Sequence, residues 1–202
     1  MSIKTVPPVS SGLETFDSRF GVPRPYGFVS RLVTEFDSIA TVTVGTNAPA
    51  VVTLDNIPSS YQHLQLRALA SNTQNSRPDI FVRFNEDATT NYVYHELRGT
   101  GSAVEAVGVT SRTGIQLGNW SPLSSESPIF SPIILDILDY ATDKRKVVRN
   151  FYSSEAPSYP YVRLESGLWL GTSAINSISL TLQTNYYYRQ HSTFALYGVK
   201  AP

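Results

Sequence analysis

Near the end of the chain, Ile178, Leu180 and Leu182 alternate with Ser179, Thr181 and Gln183. A repeat of two sends one set of side chains inward and the other outward, as in a half-buried strand. The same alternation recurs at Leu64, Leu66, Ala68 and Ala70, set against His63, Gln65 and Arg67, and at Ile80, Val82 and Phe84, set against Phe81 and Arg83. Asp87 and Thr89 are residue types that start helices, but no helical periodicity follows them. Residues 193–200 are rich in β-branched and aromatic side chains and stop almost at the chain end. A strand of that quality belongs in the interior of a sheet. Earlier strands must then be arranged around the last ones made, and the fold closes only when the whole chain is present.

The remaining strand signals fall at 40–44, 50–54, 62–70, 80–84, 92–98, 103–109, 112–117, 129–140, 146–152 and 162–164, separated by turn residues. The short turn 45–49 predicts that 40–44 and 50–54 form a hairpin. Residues 129–140 read as a strand buried on both faces because β-branched residues dominate, although a helix starting at Pro132 is an alternative. This density gives about ten to eleven short strands. It predicts an all-β chain: an antiparallel β-sandwich of jelly-roll or Greek-key type spanning residues 37–202. With 202 residues and 41% hydrophobic content, one large domain can bury a sizeable core. Gly198, inside the last strand, marks a place where a neighbouring backbone approaches closely.

Residues 1–36 differ in texture. Pro7, Pro8, Pro23 and Pro25 remove amide donors and favour extended geometry. Phe16, Phe20, Tyr26, Phe28 and Leu32 are spaced along the segment, unlike the aromatic-poor composition of disordered tails. The reading is an extended N-terminal arm whose anchors dock into grooves on a partner, with folding back onto its own domain as the alternative. Sixteen basic and sixteen acidic residues cancel, so no overall field draws nucleic acid or an anionic membrane. The chain has no cysteine, which excludes disulfides, zinc–thiolate sites and a cysteine nucleophile. No apolar run approaches the ~18 residues of a membrane-spanning helix, and the first residues lack the apolar core of a signal peptide.

Five stretches then form an ordered series: residues 57–70 (IPSSYQHLQLRALA), 82–92 (VRFNEDATTNY), 136–140 (DILDY), 167–180 (GLWLGTSAINSISL) and 192–199 (STFALYGV). The series resembles a family of small tailed-phage virion proteins described as minor tail, fibre or capsid-decoration proteins. It covers residues 50–200 and leaves the arm outside. The resemblance implies a jelly-roll head, homotrimeric and exposed on the particle. With a short arm and no heptad stalk, the expected role is a non-enzymatic capsid decoration (cement) protein, assembled in the host cytoplasm, whose partner is the major capsid protein or another virion protein. The alternative is a tail-fibre or tail-tip head that binds a host-surface glycan or protein receptor. Glu86 departs from the pattern, which leads one to expect a small turn residue there.

Candidate chemistry is sparse. Asn85, Asp87 and Asn91 offer oxygen ligands that suit Ca²⁺, but they equally suit turn building, the favoured reading. Asp136, Asp139 and Asp143 are close in sequence and read as structural acids rather than a catalytic pair. His63, His95 and His191 are far apart, and no nucleophile-elbow motif occurs. No catalytic residue and no cofactor is therefore expected. Lys144, Arg145, Lys146 and Arg149 read as a solvated basic strand face. Trp120, Tyr159, Tyr161, Tyr186, Tyr187 and Tyr188 are the candidate contact surface, for subunits first and glycan second, with plain packing third.

Overall fold

A computed structural model describes residues 35–74, 77–119, 129–156 and 159–200. The arm anchors Phe16, Phe20, Tyr26, Phe28 and Leu32, together with Trp120 and the side chain of Tyr159, lie outside the described residues.

Every named element is a strand: β1 (Phe36–Thr43), β2 (Val51–Leu54), β3 (His63–Ala70), β4 (Asp79–Phe84), β5 (Tyr92–Gly99), β6 (Val104–Arg112), β7 (Ile115–Asn119), β8 (Ser131–Ile137), β9 (Lys146–Ala156), β10 (Tyr159–Trp169), β11 (Ile178–Leu182) and β12 (Thr193–Val199). They form two antiparallel sheets packed as a β-sandwich. The larger has the order β1-β12-β3-β8-β9-β10-β5-β6, and the smaller β2-β11-β4-β7. Alternation explains the packing directly. Leu64, Leu66, Ile133, Leu135, Phe194 and Leu196 of the large sheet are buried in one core with Leu54, Val82, Phe84, Ile178 and Leu180 of the small one.

The last two strands lie inside the sheets. β12 pairs on one side with β1 and on the other with β3, and β11 lies between β2 and β4. The segment joining them is held the same way. His191 N donates to Val44 O at 2.9 Å and Val44 N to Ser192 O at 2.8 Å, while Tyr188 N donates to Pro49 O at 2.8 Å. On its other side, Thr73 N donates to Tyr187 O at 3.0 Å and Arg189 N to Ser71 O at 2.8 Å. Residues 183–192 therefore cross between the sheets flanked by the earlier crossings at 44–50 and 71–74.

Four expectations need correction. Residues 40–44 and 50–54 are not a hairpin: β1 pairs with β12 and β2 with β11, in different sheets. The short turn between them spans the gap between layers, which is only about 10 Å. Residues 129–140 are not buried on both faces, because β8 ends at Ile137, its burial alternates and Ile134 is exposed. The strand expected at 162–164 extends over the eleven residues of β10. Finally, what lies against Gly198 is not backbone but the ring of Tyr61.

Any β-carbon at position 198 would fall inside the van der Waals envelope of that ring. Gly198→Ala should therefore destabilise the fold by about 1–3 kcal/mol. In urea unfolding, most of the loss should disappear when Tyr61→Ala is combined with it; an unchanged midpoint in the single variant contradicts the contact.

Candidate functional site

The turn after β4 organises one end of the sandwich. Asn85 and Glu86 both have left-handed backbone, with φ of 51° and 59°, and Asp87 N donates to Phe84 O at 3.0 Å. Positive φ at both central positions defines a type I′ turn, whose second position usually holds glycine. Here Glu86 occupies that second position. Asn85 reaches across to the loop before β11. Its Oδ1 accepts from Asn176 N at 2.9 Å, and its Nδ2 donates to Ala174 O at 2.8 Å.

Asp87 points elsewhere. Its carboxylate accepts from Thr89 N at 2.9 Å, Asn91 Nδ2 at 3.1 Å and Trp169 Nε1 at 2.8 Å. Partial burial pushes this carboxyl up, but the hydrogen bonds from Thr89, Trp169 and Asn91 outweigh it and hold it at about 2. Trp169 in turn packs against Phe84 and Tyr92, with ring centroids 5.8 and 6.5 Å away. The turn residues thus clamp β4, β5 and the end of β10 together. Asp87 and Asn91 meet, whereas Asn85 is turned toward residues 174–177. Among the described residues no group of three or more His, Cys, Asp or Glu converges as metal ligands would.

Beside this turn lies an open depression of about 720 Å³, lined by Asp55, Asn56, Asn85, Glu86, Ser173, Ala174, Asn176 and Ser177. Amides, hydroxyls and two carboxylates line it, with no histidine and no aromatic ring among them. It can hydrogen-bond a hydroxyl-rich ligand, but it offers neither a stacking platform nor a nucleophile paired with a base.

A second polar cluster is buried between the sheets, at residues that no sequence motif singles out. Glu96 of β5 and Glu165 of β10 are register partners, so their side chains share one face. Arg163, only 1% exposed, places Nε 2.6 Å from Glu96 Oε2 and Nη1 3.6 Å from Glu165 Oε2. Its Nη1 also donates to Gln116 O at 3.2 Å. Arg98, on the same face of β5 and 29% exposed, lies 3.4 Å from Glu96 and pairs with Glu105 at 2.6 Å. Burial pushes the Glu165 carboxyl up to about 8; Arg163 and Asn150 oppose the shift and Glu96 adds to it. At neutral pH Glu165 is therefore a neutral acid beside a Glu96–Arg163 pair, and the cluster avoids an uncompensated buried charge.

The remaining nominated residues are dispersed. His63 on β3 accepts from Asp139 N through Nδ1 at 3.0 Å, His95 lies exposed on β5, and His191 sits in a turn with φ of 72°. Asp136 accepts from Gln65 at 2.7 Å, Asp139 is a turn residue with φ of 49°, and Asp143 is exposed. Lys146 does not belong to a solvated face. It is fully buried, and its ammonium donates to the carbonyls of Thr142 and Thr172 at 2.8 and 3.1 Å and to that of Lys144. Of the tyrosines, Tyr187 is 43% exposed, whereas Tyr188 is fully buried with its ring edge-on to Phe194 at 5.0 Å. Tyr188 lies where three crossings meet, which is why its ring enters the core. Tyr186 is half-buried at the core margin, and Tyr161 packs on Tyr152 at 5.9 Å.

Comparison with known protein families, with curated proteins and with solved structures yields no match to this chain. The class that the structure itself defines is an all-β protein of two antiparallel sheets.

The Glu165 carboxyl gives this fold a testable pH dependence. Its folded value of about 8 lies above the ordinary 4.5. Between those values the unfolded chain releases a proton that the folded chain keeps. The contribution is full below about pH 4.5 and is lost as pH rises through 8, at about 1.4 kcal/mol per pH unit at most. Urea unfolding at pH 5, 6, 7 and 8 should show stability falling across the series in the native protein, with a flatter profile in Glu165→Gln. Parallel profiles would contradict the assignment.

Proposed function

We propose that the sandwich is a jelly roll and that the protein is a non-enzymatic structural component of a tailed-phage virion, a capsid decoration protein that its N-terminal arm fastens to the shell. The strand order supports the first half of this reading. Removing the hairpins β5–β6 and β9–β10 leaves β1-β12-β3-β8 facing β2-β11-β4-β7. These are two four-stranded sheets between which the chain passes at every step except β4 to β7, which are neighbours in one sheet; this is the order of a double Greek key. The two hairpins then extend one sheet of that frame.

The observation that carries the reading is where the motifs of the family resemblance meet. Asp87, in the 82–92 stretch, accepts from Trp169, in the 167–180 stretch, and Asn85 holds Asn176 from that same stretch. Tyr140, which closes the 136–140 stretch, donates its hydroxyl to Pro58 O in the 57–70 stretch and accepts at its carbonyl from Ile175 N at 2.9 Å. Four stretches distant in sequence thus interlock at one end of the sandwich, so the ordered series is a fold signature rather than a catalytic site. A head that stabilises a shell by burial needs this: a rigid body, oligomerising as a trimer, with apolar anchors on an arm. Each well-buried anchor contributes roughly 2 kcal/mol, and repeated copies add avidity.

The depression at Asp55, Asn85, Glu86 and Asn176 favours the second reading, a tail-fibre or tail-tip head that holds a hydroxyl-rich host glycan. It stands behind the first because no aromatic ring lines the depression for a sugar to stack on. Deleting residues 1–36 separates the two. The decoration reading predicts that the truncated protein no longer binds particles and that particles lacking the protein lose resistance to heat and osmotic shock. Particles that keep their stability but lose adsorption to cells would support the fibre reading instead.

A further inference from the structure

The strands that bury the Glu96–Arg163–Glu165 cluster carry their aliphatic side chains on the opposite face. Register aligns Ile134 of β8, Phe151 of β9, Leu164 of β10 and Leu97 of β5 in one row across four neighbouring strands. All four are exposed, by 40, 40, 54 and 51%. Val162 and Val104 lie in an adjoining row, joined through Gly99, and both are exposed as well. In this part of the sheet the alternation runs backwards, with charged residues toward the small sheet and aliphatic ones toward solvent. A strand whose apolar phase faces outward is patterned to bury that face.

The other outer face of the sandwich differs. Thr53 of β2, Ser179 and Thr181 of β11 and Arg83 of β4 make it mixed, with Val51 exposed and Phe81 half-buried beside Thr181 rather than a row of four exposed apolar side chains. The surface of an identical chain that best matches the apolar row is therefore the same row. At one end of the row, the guanidinium of Arg67 lies over the rings of Phe36 and Tyr197, 5.2 and 5.1 Å from their centroids. Arginine and aromatic residues are the types enriched in contact hot spots. Along one side, Asp136 and Arg149 are register partners, so this rim carries both signs, and the chain's formal net charge of zero adds no repulsion between copies. Eight strands about 4.8 Å apart and roughly seven residues long at about 3.3 Å per residue give a face on the order of 800 Å². That is what each partner contributes to a stable interface of ordinary size.

We propose that the outer face of the large sheet is a contact between two copies of this chain, packed sheet on sheet about a two-fold axis. A surface that meets itself is related by a two-fold, and the row through Phe151 and Leu164 becomes the centre of a second, intermolecular core. The contact is independent of the virion assignment.

The test uses the full chain. Sedimentation should give an even number of copies, and Leu97→Lys with Leu164→Lys should halve the mass while leaving the circular dichroism spectrum and melting temperature near those of the native protein. Because the chain has no cysteine, a single one can be placed at will. Phe151→Cys should yield a covalent dimer with a short bis-maleimide, and Thr53→Cys on the opposite face should not. A monomeric native protein overturns the proposal, including one that self-associates only after residues 1–34 are removed. So does a mass the lysines leave unchanged, or equal cross-linking at Thr53→Cys. An odd number of copies also overturns it; a trimer unaffected by the lysines would leave the virion reading standing.

Discussion

The structure depends on one topological constraint: the final two strands are interior strands of sheets whose other members were made long before them. Among the described residues, β12 alone bridges β1 and β3, and β11 alone bridges β2 and β4. Without them β1 and β2 would expose both ladder edges, β3 and β4 one edge each, and all four strands one face of a shared core. The crossing at residues 183–192 is built into the same arrangement, because its backbone donates to and accepts from residues 44–50 and 71–74. Pairings of such sequence separation incur the loop-closure entropy before any contact offsets it. The alternation of Ile178, Leu180 and Leu182, and of Phe194 and Leu196, then contributes apolar burial to both layers at once.

Around this frame the added strands follow different rules. In β3, β4, β11 and β12 the apolar phase points between the sheets, and the sequence pattern reads correctly. In β5, β9 and β10 the inward phase is set by Tyr92, Tyr94, Tyr152, Gly167 and Trp169, which the core needs. Continuing that phase along the strand carries Glu96, Asn150, Arg163 and Glu165 inside, and Leu97, Phe151, Leu164 and Val162 outside. The buried ion pair and the exposed apolar row are therefore two consequences of one register. A one-residue change of phase within those strands would require a bulge, and none is recorded in the β9–β10 or β10–β5 pairing.

This determines what could be read in advance. Strand positions were legible because period 2 is a local signal, and so was the interior placement of β12. The separation of β1 from β2 was not, because a short turn serves a hairpin and a crossing between layers equally well. Tyr188 was not distinguishable from Tyr187 by composition; only the meeting of three crossings sends one ring into the core. Asn85 and Asp87 were recognisable as turn builders, whereas their partners, Asn176 and Trp169, lie more than eighty residues away. Lys146 read as a solvated charge because the carbonyls that receive its ammonium come from the 142–144 turn and from Thr172. Arg163 and Glu165 were illegible because charge in a strand ordinarily marks the solvent face, and only the partner strand reveals the inversion.

Native-state hydrogen exchange measures the closing role of the C-terminal strands most directly. Amides of Leu180 and Leu196 should exchange only through global unfolding, with the same free energy as those of Val82 and Leu66 on the strands they join. Amides of the edge strand β6 should exchange through smaller local openings. If β12 instead exchanges well before β3, the last strand is an addition to a sheet already stable without it, and the constraint described here is not what holds the fold.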